Sequence, residues 1–188
     1  MRNRRRLFFA FLSVAALTLA VAVVIKPARV IVPELMGLVC VTDQVCVEDP
    51  ATARHAVALY QDALAETTHL LGPFKDLPRA LFCSTEHCFS RFGDARLAGQ
   101  NVGTSGMVFN ARGWEPHIVK HEMIHHWQNE TYGTWAASRS MPRWFVEGMA
   151  YTLSADPRDT IPNEQATGWR KEFQDWVAAG NSWRSPQV

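Results

Sequence analysis

Apolar positions open this chain as one continuous run and then break into short periodic groups. Leu7 to Ile25 are nineteen uncharged, mostly apolar residues. As a helix rising 1.5 Å per residue they would span about 28 Å, close to a bilayer core. Residues 26–36 hold Pro27 and Pro33 and read as a juxtamembrane linker. From Pro50 to Leu71 the residues Ala53, Val57, Leu59, Leu64, Leu70 and Leu71 form a helical stripe that Gly72-Pro73 ends. Arg79 to Cys83 predicts a strand, Thr85 to Phe92 a short helix, and Asp94 to Asn101 a loop. Met107 to Phe109 predicts another short strand, apolar throughout.

A longer helix is predicted from Glu115 to Glu130, with Pro116 in its first turn, Gly133 beyond its end, and Ile118, Met123, Ile124 and Trp127 for packing. Ser140 and Pro142 can start a further helix. Asp156 to Asn163 looks irregular, and Glu164 to Ala179 suggests a last helix with Trp169, Phe173, Trp176 and Val177 inward. This order predicts an α+β domain over residues 37–188, with a small sheet against the long helix.

Charge adds direction. Arg2, Arg4, Arg5 and Arg6 make residues 1–6 basic, and the positive-inside rule keeps them in the cytoplasm and sends the remainder out. The 7–25 segment is thus expected to be a transmembrane helix. The alternative is a signal peptide cleaved near Ala20-Val21-Ala22, which would release a secreted domain. Without those four arginines and Lys26 the net charge falls from +1 to −4, so no basic stripe suggests nucleic acid. The four cysteines agree with export. Cys40 and Cys46 flank a plausible hairpin, and Cys83 and Cys88 bracket a strand-to-helix junction. Two short-range disulfides are expected, although four cysteines allow three connectivities. A four-cysteine zinc site competes, but its usual C-x-x-C spacing is missing.

Chemistry concentrates at His121-Glu122-Met123-Ile124-His125. It reads H-E-x-x-H, and on a helix both imidazoles face one way and can bind one zinc ion, with Glu122 beside the open position as general base. A third ligand is needed if a water is to occupy the fourth position. The stretch Trp144-Phe145-Val146-Glu147-Gly148-Met149-Ala150 offers Glu147 on the following helix, with twenty-one residues between it and His125.

These two motifs together resemble the gluzincin zinc metallopeptidases of the peptidase MA-like superfamily, and the small size resembles minigluzincins. The likeness covers about Gly103 to Ser154. It implies a zincin-like domain, one Zn2+ on His121, His125 and Glu147, Glu122 as base and proton shuttle, and a peptide or protein substrate cut by a zinc-activated water. The spacing differs from that of the best-known aminopeptidases, so aminopeptidase activity is not implied. Family members often add an oxyanion donor. Tyr151 lies one helical turn after Glu147, while His117, His126, Tyr132 and Arg143 are neighbours in sequence. In the family the strand before the H-E-x-x-H helix borders the cleft. Gly106, Met107, Val108 and Phe109 are therefore expected to be the edge that pairs with extended substrate. The C-terminal stretch from Gly168 could cover the cleft. Seven tryptophans most simply build core and cleft walls, with carbohydrate or membrane contact as the sharper alternative. The expected activity is that of a membrane-anchored extracytoplasmic metalloendopeptidase. A non-catalytic envelope-assembly protein on the same fold, or a zinc hydrolase of cell-wall amides, stands beside it.

Overall fold

The computed structural model describes residues 26–161, 163–184 and 186. Among these, no helix is long and apolar enough to cross a membrane. The 7–25 run expected to do so lies outside the described residues.

The protein is α+β. Its sheet has strands β1 (Val39–Cys40), β2 (Val45–Val47), β3 (Ala80–Phe82), β4 (Gly99–Asn101) and β5 (Met107–Phe109). They lie in the order β1-β2-β3-β5-β4. The central pairs β2–β3 and β3–β5 are parallel, while β1–β2 and β4–β5 are antiparallel. Among the described residues six helices accompany the sheet: α1 (Lys26–Ile31), α2 (Ala53–Leu71), α3 (Glu86–Ser90), α4 (Pro116–Tyr132), α5 (Arg143–Leu153) and α6 (Glu164–Ala178).

The short central strands are apolar at every position because both faces of the sheet are covered. Alternate residues divide between two cores. Val45, Val47, Ala80, Phe82, Met107 and Phe109 meet Leu59 and Tyr60 of α2 and Val119 and Met123 of α4. Cys46, Leu81 and Val108 point the other way, against Val30, Met36, Phe89 and Phe92. This second face explains a departure from expectation. Residues 26–36, read from their prolines as a linker, form α1 and a 3-10 turn over Pro33–Met36, because Val30 and Met36 cover the sheet there.

The segment expected to be a loop also departs. Residues 99–101 form β4, an edge strand paired with β5 through Gly99↔Phe109, Gln100↔Val108 and Asn101↔Met107. The disulfides are the two expected from spacing. Cys40–Cys46 ties the β1–β2 hairpin, and Cys83–Cys88 ties the end of β3 to α3.

Helix α4 is packed on more than one side. Val119 and Met123 enter the sheet core, while Ile124 and Trp127 enter a third core with Phe145, Met149 and Phe173. Buried Lys120 pairs with Glu66 at 2.8 Å and ties α4 to α2. Helices α5 and α6 approach closely at Gly148, where a Cβ would stand 2.2 Å from the Trp169 carbonyl oxygen and 2.7 Å from Phe173 Cβ. Backbone and core atoms cannot yield as a flexible side chain would. Gly148→Ala is therefore expected to cost about 1–3 kcal/mol, read as a lowered Tm in thermal unfolding.

Among the described residues, the C-terminal stretch from Gly168 divides between the cleft wall and the core. Phe173 is core, and Arg184 donates to the Leu70 and Leu71 carbonyls at the end of α2. Among the described residues α6 reaches the cleft at its start, through Ala166 and Trp169.

Candidate metal centre

One turn of α4 and one position of α5 bring three donor atoms together. His121 and His125 are four residues apart and present their rings to one side. Their Nε2 atoms are 3.0 Å apart. Glu147 Oε2 stands 3.6 Å from His121 Nε2 and 3.4 Å from His125 Nε2. Donors held tetrahedrally at about 2.0–2.1 Å from one ion stand about 3.4 Å from each other. Three separations straddling that value fit a single small divalent cation. The other donor cluster among the described residues, Glu48 with Cys83 and Cys88, has its sulfurs committed to a disulfide.

Gln128 orients one of these donors. Its Nε2 donates to the Val146 carbonyl at 2.9 Å, so its Oε1 must face His125 Nδ1, 2.8 Å away. That oxygen can only accept, so Nδ1 carries a proton, and in the neutral ring Nε2 is the nitrogen left with a lone pair for a metal. Gln128 is fully buried and lies on the same helix, one turn beyond His125. Gln128→Ala is expected to weaken metal affinity by about 10–100-fold, measured by competition with a chromogenic chelator.

Charge in the metal-free cluster is coupled. Burial works against a charged His125, but the neighbouring Glu147 carboxylate overcomes it and carries the imidazole up to about 9. Burial also opposes ionisation of Glu147, yet His125 and His121 hold its carboxyl far below the usual range. Arg143 adds a contact at 2.8 Å to Glu147 Oε1. At neutral pH a metal must therefore displace a proton from His125. Binding at pH 7 is expected to release about one proton, seen as a buffer-dependent heat in titration calorimetry. Below about 9, each unit fall in pH should lower apparent affinity about tenfold through this proton.

Glu122 lies next to the cluster but outside it. It is buried beneath β4: a Cβ on Gly99 would come within 2.9 Å of Glu122 Cγ. Glycine at position 99 thus admits the carboxyl side chain. Burial pushes the Glu122 carboxyl up, against the pull of His121, His125 and the Asn101 backbone N–H that donates to it.

Around the centre opens a cleft of about 910 Å³ whose lining includes Gly99, Asn101, His117, Tyr151, Arg158 and Trp169. Tyr151 packs against His121 with ring centroids 4.4 Å apart and the rings tilted by 56°. Burial, helped by Glu147 and Glu122, pushes its hydroxyl up to about 12, so it stays a donor. His117 lies in the cleft wall, 4.0 Å from Asp156, and burial lowers it. Other neighbours in sequence point elsewhere. His126 is buried against Phe74 and Glu130, and Tyr132 joins the third core. Of the tryptophans, Trp127 and Trp144 join the third core and Trp114 packs on Phe82, while Trp135 is exposed.

The expected substrate edge requires correction. Gly106 lies in the β4–β5 turn, and Met107, Val108 and Phe109 form β5, an interior strand buried between β3 and β4. It has no free edge. The edge belongs to β4. Ala98 O accepts from Asn110 N, and Val102 N donates to Gly106 O, so even positions face β5. By antiparallel alternation the main-chain groups of Gly99 and Asn101 face outward. Gln128, Gly99 and Asn101 were missed in sequence. Gln128 carries a weak signal, one turn after a motif histidine, whereas Gly99 and Asn101 sit in a stretch without strand composition.

No protein-family model, characterised protein or solved structure matches the chain.

Proposed function

We propose that the chain is a zinc metallopeptidase of gluzincin type, held at a membrane by residues 7–25 with its catalytic domain outside the cytoplasm. The observation that carries this reading is the donor geometry: two Nε2 atoms and one carboxylate oxygen at tetrahedral separations, with the Glu122 carboxyl buried beside them. Disulfides agree with an oxidising compartment.

His121, His125 and Glu147 would hold the metal. Zinc in that position supplies Lewis acidity, polarising a carbonyl and acidifying water. An extended peptide would lie along the outward edge of β4, pairing with the main chain of Gly99 and the Asn101 carbonyl, the Asn101 N–H being held by Glu122. Such pairing aligns the scissile carbonyl without reading side chains. Glu122 would take the proton of the attacking water and return it to the leaving amine. Burial makes Glu122 a readier proton acceptor than an exposed carboxylate. The Tyr151 hydroxyl would donate to the carbonyl oxygen as negative charge develops there.

The test is a quenched-fluorescent peptide pool with the purified full chain. Cleavage that requires zinc and stops with a chelator is the expected result. Metal binding without cleavage would favour the non-catalytic envelope protein. Cleavage confined to peptidoglycan amides would favour the cell-wall hydrolase.

A further inference from the structure

We propose that the cleft selects substrates with an acidic side chain near the scissile bond, and that Arg158 is the residue that reads it. This deepens the peptidase reading and rests on it. Residues 27–188 carry a net charge of −4, yet the ionisable side chains along the cleft are mostly cationic. Arg96, Arg112, Arg143 and Arg158 line it. Its carboxylates are Glu122 and Glu147, one buried beside the metal donors and the other among them. A lysine or arginine on a substrate would meet no uncommitted carboxylate there. An acidic side chain would meet guanidinium groups.

Arg143 is engaged with Glu147 at 2.8 Å, and among the remaining cleft arginines Arg158 is the one the fold holds firmly, beside Tyr151. It follows α5 in a turn that begins with Ala155 at φ 56°. Arg170 of α6 pins this turn by donating to the carbonyls of Arg158 and Asp159, both at 2.7 Å. The Asp156 carboxylate, 2% exposed, accepts from the Arg158 backbone N–H at 3.0 Å and from Nε at 2.8 Å, and also bonds Nη2. Those contacts occupy one edge of the guanidinium. Among the described residues Nη1 has no partner, and the side chain remains 37% exposed in the cleft wall that also includes Tyr151. A planar fork with one edge clamped and the other open suits a second carboxylate. Arg96 differs: its side chain is 87% exposed, and its bond to Asp94 lies in solvent.

The experiment uses the full chain as its zinc-loaded Glu122→Gln variant, so that peptides bind without turnover. Two fluorescent peptides of equal length are compared by polarisation, one with glutamates flanking a central Leu-Ala and one with glutamines in their place. The glutamate peptide is expected to bind on the order of tenfold more tightly. Adding Arg158→Gln should erase that difference and leave glutamine-peptide affinity unchanged. Because Arg158→Gln strands the Asp156 carboxylate, Asp156→Asn with Arg158→Gln is measured too, with Tm as the check on folding. Equal affinities in the parent, or a glutamate preference that survives in a folded Arg158 variant, would overturn the proposal. Because binding is read without turnover, an Arg158-dependent preference in a protein that cleaves neither peptide when Glu122 is restored would leave Arg158 as a reader of acidic ligands and overturn the peptidase reading that makes them substrates.

Discussion

Glu122→Gln is expected to lower peptide hydrolysis by about 10²–10⁴-fold and to leave zinc content unchanged. The substitution keeps the side chain's length and its fit beneath Gly99. An amide oxygen can still accept the Asn101 N–H that the carboxylate accepts. What disappears is the ability to take and return a proton. Because the donor cluster consists of His121, His125 and Glu147, occupancy should not follow activity downward. Glu122→Ala should lose as much turnover, but it also opens a void under β4, so the glutamine variant separates chemistry from packing. Metal content by atomic emission, beside steady-state rates on one peptide, makes the comparison. A variant that loses metal together with activity would mean that Glu122 is a ligand or a structural support rather than a base.

Glu147→Ala is expected to act in the opposite order, removing the metal first and activity with it. Loss of a donor should exceed the 10–100-fold reduction typical of losing an outer hydrogen-bonding partner, so at least about a hundredfold is expected. The same substitution has a consequence in the metal-free protein. Glu147 is what lifts His125 to about 9, so without it burial dominates and the imidazole should titrate well below that value. Histidine NMR titration of both metal-free proteins reads this directly. A raised His125 that persists in Glu147→Ala would show that another group supplies the charge.

Much of this architecture was legible because its signals are local. Pro116 and Gly133 bracket α4, and Gly72-Pro73 follows α2. The histidine spacing alone places both imidazoles on one side of a helix. The six- and five-residue separations of the cysteines likewise announce short-range pairing.

What escaped depends on partners distant in sequence. Gly99-Gln100-Asn101 lacks the branched and aromatic residues of strands, and becomes one only because β5 pairs with it. The edge expected at β5 came from the family resemblance, and β4 takes that place instead. Residues 26–36 looked like a linker because nothing in them announces the open sheet face that Val30 and Met36 cover. Gln128 carries no motif of its own, and its orienting role depends on the Val146 carbonyl, eighteen residues away on α5.

The most direct measurement is anomalous diffraction at the zinc edge from crystals of the metal-loaded protein. The account predicts one ion bonded to His121 Nε2, His125 Nε2 and a Glu147 carboxylate oxygen, each at about 2.0–2.2 Å, with the remaining position open to the cleft. An ion seated elsewhere, or one on the two histidines with Glu147 turned away and no other side chain completing the set, would contradict it.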